Sequence, residues 1–395
     1  MLRYQDICAK KSRFLALTGL HVEEFVVLLT SFQEAFDWSM QHTTLTGEKR
    51  EYRRYTTYSN SPLPTMEDKL LFILVYLKHN LHQEVQGCLF GMSQTNVSKW
   101  SHILHGILNQ ALAQQSHLPA RTAEEFAMYV QDRTKTAVSD RTPGGKSDSG
   151  ETRPEITATS PTSPEDAIDT HDSTDTDMNS QMASRDATIP HGSAREADIV
   201  QEPALDNEGV PESVTEATAA HIFFHDGVER PINRPCDPFD QEDYYSGKKK
   251  QHMLKNIIIA TLQGKIPFLS QTRFGKLHDK RAADESRYTF PAGSHLYQDT
   301  GFQGFTPPDV IIIQPKKKPR GGELTLVEKE ENRRISSIRV FIEHVIGSVK
   351  RYRVVKEKIR LWKGNIRDKI METCCGLHNF RITFRPMRYA ENKSC

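Results

Sequence analysis

The sequence predicts an α/β core with a mixed sheet, preceded by an all-helical region and separated from it by a disordered linker. Three observations predict this. Before residue 132, apolar residues recur at helical spacing in each long segment. After residue 220, short β-rich runs alternate with helical patterns, as in a layered α/β domain. Between Tyr129 and Phe223 there is no aromatic residue, and Ser, Thr, Asp, Glu, Pro and Gly dominate. Such a stretch buries too little apolar surface to offset its ordering entropy. The 395 residues leave room for two or three domains. The reading is an N-terminal helical segment (1–60), a helix-turn-helix region (61–132), an acidic linker (133–219), the α/β domain (220–385) and a tail (386–395).

The helical region is read first. "HVEEFVVLLTSFQEAF" carries Phe25, Leu28, Leu29 and Phe32 on one helical face. "SPLPTMEDKLLFILVYLKHN" gives a second helix, with Thr65 as N-cap and Asp68 three residues on. A short helix with Val85 and Leu89 then ends at Gly91. Ser93 caps the next helix, which opens with Gln94, Thr95, Asn96, Ser98 and Lys99. A short helix, a Gly turn and a helix beginning with small polar residues match the helix-turn-helix pattern. Gln94 and Asn96 can pair bidentately with adenine, and Lys99 can take phosphate or guanine. An ordinary helical hairpin would read the same way, so this pattern alone does not decide DNA binding.

Composition excludes several classes. The net charge of +1 announces no nucleic-acid partner, but the average hides an asymmetry. Basic clusters concentrate in the C-terminal third: Lys248, Lys249 and Lys250; Lys316, Lys317 and Lys318; and Lys350 with Arg351 in "KRYR". Such clusters suit phosphates, or are simply solvated faces. The six scattered cysteines contain no CxxC pair, which argues against a zinc ribbon or a disulfide framework. The spacing of His225, His252, His278, His295 and His344 supports no zinc site either. No run of about 18 apolar residues and no signal peptide stand out, so an intracellular protein that uses no membrane is expected.

In the α/β part, "HIFFHDG" reads as a strand, 254–272 as a hairpin around Gln263-Gly264, and "HDKRAADES" as a helix. "SHLYQDTG" and "DVIIIQP" read as strands, and 328–352 as a long helix. Acids fall at significant places. Asp226 ends the first strand, Asp299 ends the "SHLYQ" strand, and Glu343 lies at the edge of the long helix's apolar stripe. A carboxylate pressed against a core is costly unless paired or metal-bound. Three converging acids make an oxygen cage that favours magnesium or manganese. Asp279, at the start of the "HDKR" helix, is a fourth candidate, as a ligand or as a charge favoured by the helix dipole. It ranks below Asp299, because Asp299 is read as sitting on a strand and Asp279 follows a loop. Each acid taken singly is more simply a turn former or cap.

The stretch "RVFIEHVIGSVKRYR" sets Arg339, Glu343 and Lys350 within roughly 40° of one another on the helix. By itself this is a surface ion pair worth about 0.3–0.5 kcal/mol. Together with "DGVERPINRPCDPFDQEDYYSGKKKQHMLKN", "GKLHDKRAADE", "LYQDTGFQG", "QPKKKPRG" and "CCGLHNFR", it resembles the DDE superfamily of transposases, in its insertion-sequence and Harbinger-like branch. That family carries R-x3-E-x6-K on its last catalytic helix. Ser336 stands where the family's signature has Tyr, and Gly227 stands where relatives often carry Ala. The resemblance covers 1–132 and 220–385.

The resemblance implies a ribonuclease H-like core with Asp226, Asp299 and Glu343 as ligands of Mg2+, with Mn2+ able to substitute. It implies hydrolysis at the element's ends, followed by attack of the freed 3′-hydroxyl on target DNA without a covalent protein intermediate. Arg339 and Lys350 would hold phosphates or a terminal base. Lys248–Lys250, Lys316–Lys318 and Arg351 would contact the backbone of double-stranded DNA, and 93–104 would read the terminal inverted repeat. A homodimer on DNA is expected, because two ends must meet. The sequence also accommodates a silent or domesticated DNA-binding protein, and a nuclease that cuts without joining.

Overall fold

The computed structural model describes residues 1–387 apart from 45–47, 52–54, 57, 59, 140–220 and 362–363. Most of the acidic linker, the tail beyond 387 and Cys395 thus lie outside the described residues.

Seven helices form the N-terminal region: α1 (Tyr4–Ile7), α2 (Lys11–Thr18), α3 (Val22–His42), α4 (Met66–His79), α5 (Gln83–Phe90), α6 (Gln94–Gln114) and α7 (Ala123–Ser139). The expected caps are present. Thr65 Oγ1 accepts from the amide of Asp68 at 3.1 Å, and Ser93 Oγ from that of Asn96 at 3.4 Å. Gly91 ends α5 in the left-handed region, at φ +67°, where a Cβ would be strained. The short helix carrying Val85 and Leu89 is α5; those two side chains are exposed, and Gln86, Gly87 and Phe90 face inward. Phe126 and Val130 anchor α7 in an apolar cluster, and the helix runs on to Ser139.

The remaining elements are β1 (Ile222–Pro231), α8 (Pro238–Tyr244), β2 (Tyr245–Ser246), β3 (Gln251–Thr261), β4 (Phe268–Leu269), β5 (Arg273–Phe274), α9 (Asp279–Ser286), β6 (Ser294–Gln298), β7 (Val310–Ile313), α10 (Leu326–Val349), α11 (Arg353–Lys356) and α12 (Ile366–Phe384). The sheet runs β2-β3-β1-β6-β7, with β4 and β5 also paired to β3. β1 is antiparallel to β3 and parallel to β6, which is parallel to β7. The sheet is therefore mixed, with helices on its faces, consistent with a ribonuclease H-like core.

Strand alternation separates two cores. Phe224, Val228, Ile258 and Ala260 join the cluster shared with α10, α12 and the N-terminal helices. Phe223, Ile257 and Ile259 join the cluster of Phe126 from α7 and of Ala282 and Ala283 from α9. The regions on either side of the linker thus share their cores. On α10, Ile335, Ile342, Val345, Ile346 and Val349 are buried, as the apolar stripe predicts. Among the described residues no single helix is long and apolar enough to cross a membrane.

Candidate active site

The site is built where the parallel pairing of β1 stops. The last matched pair between β1 and β6 is His225 with Gln298. β1 itself runs on to Pro231, paired only with β3, so Asp226 lies within the strand rather than at its end. The extension is held by cross-strand partners. Arg230 donates to Asn256 Oδ1 at 2.8 Å, and Lys255 lies 3.7 Å from Glu229. Asp226 therefore stands at the fork where β6 leaves β1, a crevice of the kind in which open sheets place ligands.

Asp226 accepts a hydrogen bond from the amide of Gly227 at 2.7 Å. Burial pushes its pKa up to about 6; the Gly227 amide and Arg339 oppose this, while Asp299 and Asp279 add to it. Asp299 immediately follows β6 as the N-cap of a 3₁₀ turn, and its Oδ1 accepts from Arg339 Nη1 at 3.3 Å. Arg339 is 9 % exposed and the Asp299 side chain 43 %, so the pair joins a buried guanidinium to a half-exposed carboxylate.

Asp279 opens α9. Its carboxylate is wedged between two glycines. A Cβ on Gly227 would lie 2.8 Å from Asp279 Oδ1, and one on Gly301 2.9 Å from Oδ2. The carboxylate is also tied to Lys255 Nζ at 3.0 Å. Gly227 shares strand parity with Phe223 and His225, so Asp279 approaches from the sheet face opposite α10, whereas Asp226 shares the α10 face.

Asp226, Asp279 and Asp299 line one cavity of about 720 Å³, together with Lys350, Lys248 and Lys249. Lys350 is the C-cap of α10. Its pKa is lowered by burial first; Asp226 opposes that shift and Lys249 adds to it. Glu343 is exposed on α10 and is not among the cavity's lining residues. Among the described residues no three His, Cys, Asp or Glu side chains form a ready metal cage. Lys316 pairs with Glu328, and Lys318 lies 3.7 Å from Glu323, both away from the cavity. Lys317, Lys250 and Arg351 are exposed.

Sequence reasoning missed Lys255, which is buried on β3 and holds both Asp279 and Glu229. The hairpin register that pairs Glu229 with Lys255 is the signal that could have found it. On the helical side, Gln94, Asn96 and Lys99 are exposed at the start of α6, as a recognition helix requires. Gln94 also lines a cleft of about 280 Å³ with Ser98 and Arg360.

Residues 225–379 match the family described as DDE superfamily endonuclease, and residues 61–114 match the helix-turn-helix of DDE superfamily endonuclease. The chain is 30% identical over 141 residues to a probable transposase for insertion sequence element IS702 from Microchaete diplosiphon. That match covers 35% of this chain and 50% of the relative, so the chain spans about half the length of the curated relative it matches. No solved structure matches. The mixed sheet and the aspartates at its fork agree with both matches: residues 225–379 resemble a DDE superfamily endonuclease core, and residues 61–114 resemble the helix-turn-helix that accompanies it.

Proposed function

We propose that this chain is a metal-dependent DNA transposase that cuts at the ends of its element and joins the freed 3′-hydroxyl to target DNA. The observation that carries the reading is the gathering of Asp226, Asp279 and Asp299 around one cavity with Lys350 and Lys249. The residues fit a hard divalent cation. Their donors are carboxylate oxygens, and burial, with Asp299 and Asp279 nearby, raises the pKa of Asp226. Asp226 and Asp299 would hold the cation, with Glu343 reaching in from α10 once DNA is bound. Asp279 ranks behind Asp299, since it comes from the opposite face and is already tied to Lys255. When bound, Mg2+ or Mn2+ supplies charge neutralisation at the scissile phosphate and activates the attacking oxygen.

The chain's own residues do the rest. Arg339 holds Asp299 in place and is the candidate partner for a phosphate or terminal base. Lys350, Lys248 and Lys249 bind phosphates beside the cut, where backbone contacts position the strand without reading it. Lys250, Arg351 and Lys316–Lys318 extend those contacts. Gln94 and Asn96 read base edges of the terminal repeat, and Lys99 takes phosphate or guanine. Two copies on DNA would bring two ends together inside the cell.

The exposure of Glu343 away from the aspartates favours a second reading, a DNA-binding protein that no longer cuts. One experiment separates them. A DNA fragment carrying the gene with its flanks is incubated with wild type and with Glu343→Gln, with magnesium or with chelator. Metal-dependent cuts at the element ends that vanish in the variant support the transposase. Binding without cutting in both magnesium and manganese supports the second reading.

A further inference from the structure

Most buried cations here have an evident anionic or carbonyl partner. Lys255 meets Asp279, Arg121 meets Asp368 at 2.6 Å, and Arg230 donates to the Arg367 carbonyl at 2.8 Å. One group, of buried Arg381, half-buried Lys78 and exposed Arg351, has no such anionic partner among the described residues. Lys78 stands in the last turn of α4, Arg351 just beyond the end of α10, and Arg381 in the last turn of α12. Side-chain positions bring the three helices together. A Cβ on Gly19 would lie 3.6 Å from the Lys78 stem and 3.5 Å from the ring of Tyr352, the neighbour of Arg351. Arg381 Nη1 lies 3.4 Å from Ser348 Oγ, one turn before Arg351.

The balance of charge is one-sided. Arg381 is 6 % exposed, and its Nε has no partner among the described residues. Arg385 is already paired with Glu24 at 2.6 Å. His378, held by Ser348 and the Gly264 carbonyl, has its pKa lowered to about 4 by burial and by Arg381 and Arg351, so it adds no charge near neutrality. Burial lowers the pKa of both Lys78 and Arg351; Arg381 and Arg351 add to the shift of Lys78, and Arg381 and Arg385 to that of Arg351. The C-terminal ends of α4 and α10 favour cations by only about 0.3–1 kcal/mol each, too little to gather buried Arg381, half-buried Lys78 and exposed Arg351 for their own sake. Such a group fits a bound anion of two or more oxygens.

The place of the group identifies the anion. Lys78 lies just before the helix-turn-helix pair α5–α6, and Arg351 is one residue from Lys350 at the catalytic cavity. We infer that Lys78, Arg351 and Arg381 bind one backbone phosphate of the DNA strand that passes between the recognition helix and the catalytic cavity, an inference that rests on the chain's acting on DNA.

The test measures binding of fluorescent 30-base-pair duplexes by anisotropy across a salt series, with thermal melts of the free proteins. One duplex carries the element end and the other an unrelated sequence. The proteins are wild type, the double variant Lys78→Gln/Arg351→Gln, and Lys11→Gln, an exposed lysine that serves as the single-charge control. For the double variant, the slope of log affinity against log salt is expected to shrink by about 0.9, and affinity to fall about tenfold on both duplexes. Its melting temperature should hold or rise, because repulsion is removed. Lys11→Gln should leave the slope unchanged. An unchanged slope in the double variant overturns the phosphate site while DNA binding stands. A melting temperature several degrees lower shows that the cations are structural, and also overturns it. Failure of wild type to bind either duplex at low salt overturns both this inference and the reading it rests on.

Discussion

Replacing Asp226 by Asn should make the metal-free protein more stable at neutral pH while abolishing cleavage. The size of the effect follows from the site. Burial raises the Asp226 pKa from 3.8 to about 6, with Asp299 and Asp279 adding to the rise. The native state therefore holds a proton through a range in which the unfolded state has lost it. Stability contributed by this group is full below the unfolded value and is lost as pH rises through about 6. At pH 7 the ionised carboxylate costs about 3 kcal/mol relative to a neutral side chain. Asn keeps the acceptor for the Gly227 amide and carries no charge. For a chain of this size, 3 kcal/mol corresponds to about 5 °C in melting temperature. The assay is a melt of both proteins in chelator from pH 4 to pH 8. The difference should be near zero at pH 4, open between pH 4 and pH 6, and level off above. Added magnesium or manganese should raise the wild-type melt and leave Asp226→Asn unmoved. A gap that does not change with pH, or a variant less stable at pH 7, would refute the placing of this carboxylate in a buried site beside two other aspartates.

Other consequences can be checked separately. Glu343→Gln should leave the melt unchanged, because the side chain is exposed, yet remove metal-dependent cutting; normal cutting would take Glu343 out of the ligand set. Gly227→Ala, the residue common in relatives, should not be neutral here, since its Cβ would press on Asp279 Oδ1 at 2.8 Å; a loss of about 1–2 kcal/mol in denaturant unfolding is expected, and Lys255→Met should lessen it by freeing that carboxylate. Gln94→Ala with Asn96→Ala should cost about 1–3 kcal/mol of preference for the element end over unrelated duplex while leaving the salt slope as it was, measured by competition binding.

The fold was legible wherever a local pattern decides it. The α10 stripe, the Thr65 and Ser93 caps and the Gly91 stop are short-range signals, and each stands in the structure as its residues imply. Long-range pairing was less legible. Asp226 read as a strand end because Gly227 and charged residues follow it, but Asn256 and Lys255 on the neighbouring strand satisfy those charges and carry β1 on to Pro231. In the site, the spacing of Arg339, Glu343 and Lys350 was visible, but their different depths were not. Arg339 is buried on Asp299, Lys350 caps the helix at the cavity, and Glu343 stays exposed. One helical face cannot reveal which of its residues a sheet edge will cover.

The shared core has a consequence for where the proposed transposase cuts. The recognition helix α6 does not hang from a linker. Its Asn109 donates to Glu372 at 3.2 Å and to Thr373 at 3.0 Å on α12, and its His105 meets the same Thr373 hydroxyl at 3.0 Å. Gly376 lets the two helices close. A Cβ there would lie 2.7 Å from Leu118 and 3.2 Å from Leu112. The residues proposed to read DNA and those proposed to cut it are thereby clamped to one frame, and on that proposal the distance from recognised bases to the cut becomes a property of the fold. Gly376→Val should force α6 off α12 at a cost of about 1–3 kcal/mol. Sequencing of cleaved ends should then show cuts scattered over several nucleotides, where wild type cuts at one. A variant that melts lower but still cuts at the wild-type nucleotide would show that something other than the α6–α12 clamp sets the position.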